Sequence, residues 1–371
     1  MDFGLSETQE LIRSTARDFF ATSAGAEIVR NVADGDEDAA KKLWDEAVAL
    51  GWSGFTVPEV FGGTGFSFED LIVLVEEAGA ALTPIPIVES SITSSVLDNY
   101  ADEEIKSELL PQIAIGEVLI TPAVVEKDAS WDLSTPLVAG TSTGSDVVLT
   151  GEKRFVNFAN LATHALVSAT IDDELAVILV PIWNNEGVSK TALKSTAGIS
   201  ISNLTFNEVA VASSNVVATG KSAKSAMSDL VSLGAVARSA QLAGLGRKVV
   251  EVTTEYAQSR EQFGKPIGTF QAIQHYLAEM ATTVKQVNHL VYAAASSSSQ
   301  DSYSAEYVSR AKIAASEKIP EVCWKAHQSH GAIGFTWEHD LHLYTRRAIA
   351  WKTDYGDSTF HKHNLSRLLG L

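Results

Sequence analysis

A chain of 371 residues exceeds what one hydrophobic core usually serves, so two or three subdomains are expected, and a hydrophobic content of 45% is ample to fill them. The formal net charge of -18 argues against nucleic acid and anionic membrane surfaces as partners, and any site for an anionic ligand has to gather its own positive charge. No apolar run is long enough to span a bilayer, the opening residues are too acidic for an export signal, and the single cysteine, Cys323, fits a reducing cytoplasm.

Taken in order, Ser6 with Gln9 forms a capping-box pattern, and Leu11, Ile12, Thr15, Phe19 and Phe20 follow at helical spacing. A second helix is expected from about Asp38 to Leu50, where Gly51 stops it. Gly62, Gly63 and Gly65 resemble a phosphate-binding loop only superficially. No strand leads into them and the dinucleotide-fold spacing is absent, so they read as a connection. Helices follow over 70–81 and 89–100, separated by Pro84 and Pro86, and over about 102–115. Residues 1–116 therefore make a helical domain.

From Glu117 the texture changes to short runs of Val, Ile, Thr and Leu divided by Gly, Asn, Asp and Ser: 118–125, 147–149, 164–170, 175–180 and 204–206. A β-domain is expected over 117–220. Helical periodicity returns over 221–371, first with Leu230, Leu233, Ala237, Ala240, Gly244, Leu245, Val252 and Tyr256. Phe270, Ile273, Leu277, Met280, Val284, Val287 and Val291 continue it. The polar stretch 296–302 separates this second helix from a third, in which Pro320 marks a kink or the true start. A shorter helix carries Arg346 and Arg347, and a last one ends at Leu369.

Between the first two of these helices lies the turn SREQFGKPIGTFQ, where Gly264, Pro266 and Gly268 break the chain and Arg260, Gln262, Lys265 and Gln271 crowd donors around the break. Such a turn between rigid helices can hold an anion without rearranging. Its order, Arg-x-Gln-Phe-Gly-x-Pro-Ile and then Phe-Gln, resembles the C-terminal signature of the acyl-CoA dehydrogenase flavoproteins. The block QSHGAIGFTWEHDLHLYTRR, from Gln328 to Arg347, resembles the same family's Gln-x-x-Gly-Gly-x-Gly-Phe segment. The opening helix and the Pro-Glu-x-x-Gly-Gly-x-Gly loop extend the likeness over essentially the whole chain.

The resemblance implies an α+β fold: a helical domain, a small central β-barrel or sandwich and a C-terminal four-helix bundle. It implies FAD between the β-domain and the C-terminal helices, reaching into a neighbouring subunit. Arg260, Phe263, Phe270, Gln271, Gln328, Gly331 and Ala332 match the parts that serve the neighbour's cofactor, with Arg260 facing its pyrophosphate. The half that serves the chain's own flavin matches less well. In VVEKDASWD, Glu126 and Asp132 keep their places but Trp131 replaces a small hydroxyl residue, and Phe155, Val156 and Asn157 stand where the family has Trp-Ile-Thr against the ring.

Dehydrogenation of an acyl thioester also needs a carboxylate base. In most relatives it is the Glu of a Tyr-Glu-Gly segment; here the same count reaches Tyr355, then Gly356, then Asp357. The alternative position, on the first C-terminal helix, falls on Gly234. Asp357 is thus the nearby acid, one position late and one methylene short, with helix capping as its ordinary role; Asp229 is a poorer candidate. Of the nine histidines six follow Lys325, and the pairs His339 with His342 and His361 with His363 suggest polar contacts rather than a metal site.

The pattern of losses resembles the subunit without the Glu in bacterial heterotetrameric (α2β2) acyl-CoA dehydrogenases that shorten steroid side chains. Such a subunit completes an FAD site while a paralogous partner supplies the Glu. A self-sufficient homotetramer using Asp357, and a flavin-free structural subunit, are the alternatives. The resemblance also implies an acyl-CoA substrate and an electron-transferring flavoprotein as acceptor.

Overall fold

The computed structural model describes residues 4–128, 130–299 and 302–371. Helix α1 (Glu7–Ser23) opens it with the expected capping box: Ser6 Oγ accepts from Gln9 N at 3.2 Å, and the Gln9 side chain accepts from Ser6 N at 3.1 Å. Helix α2 (Ala26–Ala33) has no counterpart in the sequence reading; at 8 residues it offers too little periodicity to stand out. Helices α3 (Glu37–Ala49), α4 (Phe68–Ala80), α5 (Ile87–Tyr100) and α6 (Glu103–Ala114) follow. The glycine loop before α4 is a connection containing one short 3-10 turn, Glu59–Phe61.

The middle of the chain forms a mixed sheet of β1 (Ile120–Ala123), β2 (Ala139–Thr143), β3 (Asp146–Asn157), β4 (His164–Ile171), β5 (Glu174–Pro181), β6 (Val188–Leu193), β7 (Ile201–Ala212) and β8 (Val216–Thr219). Its order is β6-β7-β3-β2-β4-β5-β8, with β1 pairing parallel to β4. Three strands were unseen in the sequence: β2 and β6 are largely exposed and polar, which removes the hydrophobic alternation that reveals a strand, and β8 has only 4 residues. A register shift between Lys153 and Val156 marks a bulge in β3.

Helix α7 (Gly220–Ser259), of 40 residues, then runs through the centre of the molecule. Its middle is buried on every side, against α4 and α5 as well as α8 (Gln271–Ala295) and α9 (Ala305–His330). The α4 contact is backbone on backbone: a Cβ on Gly244 would fall 1.8 Å from the Glu76 carbonyl, and one on Gly79 would fall 2.1 Å from that of Gln241. Only glycine allows this approach. Helix α9 is continuous through Pro320, so Pro320 does not mark its start; a proline inside a helix forfeits one intrahelical bond. Of the polar stretch before α9, residues 300 and 301 lie outside those described. Helices α10 (Leu341–Trp351) and α11 (Ser358–Leu368) finish the chain against α9. No helix among the described residues is long and apolar enough to cross a membrane.

Candidate functional site

A cavity of about 500 Å³ lies where the sheet, α5 and the end of α10 meet. The sheet contributes Thr121, Pro122, Phe155 and Asn157, with Val124 just past β1; the loop after β6 contributes Lys194, Ser195 and Thr196, and the far wall is Glu89, Ala350, Thr353, Asp354 and Tyr355. The β3 bulge places Phe155 at φ 54 with its ring 54% exposed among these residues. Both β-domain positions singled out in the sequence, Phe155 and Asn157, therefore share one cavity.

The far wall is ionic. Arg238, buried on α7, donates from Nη2 to Glu89 Oε1 at 2.7 Å and from Nη1 to Gln241 Oε1 at 2.6 Å, while its Nε lies 3.2 Å from Asp354 Oδ2. Its guanidinium also sits 5.3 Å from the Trp351 ring and 5.8 Å from that of Tyr355. Burial, with the Glu89 charge adding to it, pushes the Tyr355 phenol well above its ordinary value, so it stays protonated. Sequence reasoning missed Glu89, Arg238 and Asp354. The available signal was a lone charge inside an otherwise small and apolar helical run, GAVARSAQLAG.

The segment 351–357 is clamped from below. Lys312, wholly buried, donates to the carbonyls of Trp351 (3.0 Å) and Lys352 (3.1 Å) and to Ser316 Oγ (3.2 Å), and burial pushes its ammonium down to about 7. His361 donates to the Tyr355 carbonyl at 2.9 Å; burial holds its imidazole at about 4, hence neutral. Asp357 accepts from Phe360 N at 2.8 Å as the N-cap of α11, and it lines a separate hollow with Ser316, Pro320 and Lys352. Gly356 has φ 95, and a Cβ there would fall 2.5 Å from Phe360 Cδ1 and 2.7 Å from His361 Nε2. At Gly234 a Cβ would lie 2.3 Å from the Tyr355 ring. Asp229 is taken by the Tyr100 hydroxyl at 2.6 Å, and burial raises its carboxyl above the usual range.

In the β-domain, Glu126 turns inward, accepting from Lys153 Nζ (2.7 Å), Leu137 N (2.7 Å) and Val138 N (2.9 Å), and so ties down the loop that follows it. Trp131, on that loop, meets Tyr355 ring to ring at 5.3 Å and closes one end of the cavity. Ala129 of this loop lies outside the described residues. Asp132 accepts from Ser134 N and stays local.

The signature turn lies elsewhere, at the outer end of α7. Glu261–Gln262 pairs with Lys265–Pro266 around Phe263 (φ 55) and Gly264 (φ 80), a two-residue hairpin turn with both central residues left-handed. Phe263 is 93% exposed, and Lys265 sits 4.5 Å over the Phe270 ring. Tyr256 stacks on His330 at 4.4 Å, which joins this end of α7 to the end of α9. Arg260, Phe263, Gln271, Gln328, Gly331 and Ala332 are all exposed here, near the exposed rings of Trp324, Phe335 and Trp337. His339 packs edge-on to His330 and His342 against Trp337, and no metal-binding group occurs among the described residues.

The cavity suits a planar heteroaromatic ring with a phosphate-bearing tail: Phe155 offers an aromatic face, Asn157 an edge partner, and Arg154, Lys194, Ser195 and Thr196 bring cations and hydroxyls to the rim. FAD is such a molecule. The family models for the acyl-CoA dehydrogenase N-terminal and C-terminal domains match residues 6–117 and 223–368. The chain is 28% identical to subunit CarC of the caffeyl-CoA reductase-Etf complex of Acetobacterium woodii, over 98% of each chain. It is 27% identical to the acyl-CoA dehydrogenase IpdE2 of Mycobacterium tuberculosis, over 92% of this chain and 91% of that one. Its fold matches a chain of the solved ChsE4-ChsE5 complex from Mycobacterium tuberculosis with a TM-score of 0.91 at 25% identity, covering 100% of this chain and 99% of the other. With both terminal domains matched and the likeness running end to end, this chain belongs to the acyl-CoA dehydrogenase family.

Proposed function

We propose that this chain is a subunit of an FAD-dependent acyl-CoA dehydrogenase that introduces an α,β double bond into an acyl-CoA thioester, with a paralogous subunit supplying the acid that takes the α-proton. The state of residues 354–357 carries this reading. Asp354 is held by Arg238, Asp357 by the N-terminus of α11, and Gly356 has no room for a side chain. Proton abstraction needs a free, well-aimed carboxylate, and this segment spends both of its own on structure.

Bound FAD supplies the hydride acceptor. Phe155 and Asn157 would face its ring, and Arg154 and Lys194 would draw its phosphates. On the outer surface Arg260 would offer paired donors to the pyrophosphate of a neighbour's cofactor, with Phe263, Phe270, Gln271, Gln328, Gly331 and Ala332 around it. An α2β2 assembly is supported by the ChsE4-ChsE5 complex, and an electron-transferring flavoprotein as acceptor by CarC's place in a reductase-Etf complex. A solved steroid acyl-CoA dehydrogenase, 26% identical with a TM-score of 0.88, favours a steroid-like acyl group. The buried, unpaired Cys323 fits a reducing cytoplasm.

The test is to purify the chain alone and with a paralogous dehydrogenase that retains the Glu, then count FAD per tetramer and assay acyl-CoA oxidation. Turnover only in the mixed complex is the expected result. Turnover by the chain alone points to a homotetramer using Asp357 or Asp354, and a colourless mixed complex points to a structural subunit.

A further inference from the structure

Asn157 is held so that its side chain has a defined polarity. Its Nδ2 lies 3.3 Å from Glu89 Oε1, and the Glu89 carboxylate, paired with Arg238 at 2.7 Å, only accepts hydrogen bonds. The atom of Asn157 facing α5 is therefore the NH2 group, which leaves the carbonyl Oδ1 on the other branch of the amide, and Asn157 itself lines the cavity. Oδ1 has no hydrogen-bond partner among the described residues and is not a fully buried atom. The backbone is fixed as well: the Thr121 hydroxyl donates to the Asn157 carbonyl at 2.6 Å, and β7 holds Val156 and Asn157 opposite Ser202 and Ile201. Arg238 is in turn braced by Gln241 and Asp354. Five side chains thus cooperate to aim one acceptor.

We propose that Glu89 is a positioning residue that fixes the Asn157 amide so that its carbonyl is presented to the edge of the bound flavin, and that this acceptor favours the reduced cofactor. The inference rests on the reading that the cavity holds a flavin ring. Two-electron reduction places hydrogen on a ring nitrogen that otherwise offers only a lone pair. A fixed carbonyl repels that lone pair and accepts from the N–H that replaces it, so reduction strengthens the contact.

The experiment is to measure the two-electron midpoint potential, against reference dyes, of the complete FAD-loaded assembly carrying wild-type chain, Asn157→Thr or Glu89→Gln. Asn157→Thr substitutes a hydroxyl that can donate, and should lower the reduced-to-oxidised ratio about tenfold, a fall of about 30 mV. Glu89→Gln frees the Asn157 amide to turn over, and should lower the potential in the same direction by a smaller amount. Unchanged potentials in an Asn157→Thr assembly that binds FAD fully and melts cooperatively overturn the proposal, as does a rise. A wild-type assembly without FAD overturns the functional reading itself, which separates the two failures.

Discussion

Two arginines, one within α7 and one just past its end, sit in opposite circumstances. Arg238, in the middle of the helix, is buried among Glu89, Gln241, Asp354 and two aromatic rings. Arg260, just past the end of the same helix, is exposed beside Phe263, and its guanidinium makes no hydrogen bond or ion pair among the described residues. Around the first, charges consume one another and the wall of the cavity is rigid. Around the second, a cation, amides and bare aromatic rings face outward together, which is how a surface looks when its partners belong to another molecule. In this family member the interior wall is built to position, and the outer face leaves its cation, amides and rings exposed.

The comparison breaks first at Arg238. Removing it by Arg238→Leu leaves Glu89 buried and uncompensated and should cost about 3–5 kcal/mol of stability in denaturant unfolding. A loss under about 1 kcal/mol would mean that the ionic wall is not structural. Acid should act next. His361, held at about 4 against an ordinary 6.5, is neutral in the fold, so the unfolded chain binds the extra proton. Stability present above about pH 6.5 should therefore fall as pH drops toward 4, by on the order of 3 kcal/mol, and His361→Gln should flatten that limb of the pH profile.

Gly356→Glu, the change that restores the family's usual residue, should fail here. A left-handed backbone with Phe360 and His361 in the way should cost about 1–3 kcal/mol, and the chain alone should gain no acyl-CoA turnover. Asp357→Ala should lose about 1 kcal/mol as an N-cap while leaving turnover of the assembled enzyme intact; a pronounced loss of turnover with stability unchanged would make Asp357 the base after all. Arg260→Ala should sharpen the contrast most cleanly. Stability of the isolated chain should stay within about 0.5 kcal/mol, whereas FAD content of the assembly should fall.

Much of the architecture was legible because it rests on local signals. Ser6 and Gln9 announce α1, and the change of period near Glu117 announces the sheet. The hairpin around Phe263 and Gly264 is written in its own residues. Phe155 and Asn157 stood out because they occupy a recognisable segment, and both line one cavity. What stayed hidden was of a different kind. Glu89 and Arg238 are 149 positions apart and meet only because α5 packs on α7. Helix α2 was too short, and β2 and β6 too polar, to announce themselves.

The sequence by itself determined the three-part organisation, the turn that presents Arg260 and the absence of the usual Glu after Tyr355, because period, turn chemistry and residue identity are properties of neighbours along the chain. Only the tertiary structure decided that Asp354 rather than Asp357 borders the cavity, that Arg238 holds it, and that Gly356 is locked against replacement. Those facts depend on which distant side chains burial brings within about 3 Å, where desolvated charges and hydrogen bonds must find each other or be paid for in stability.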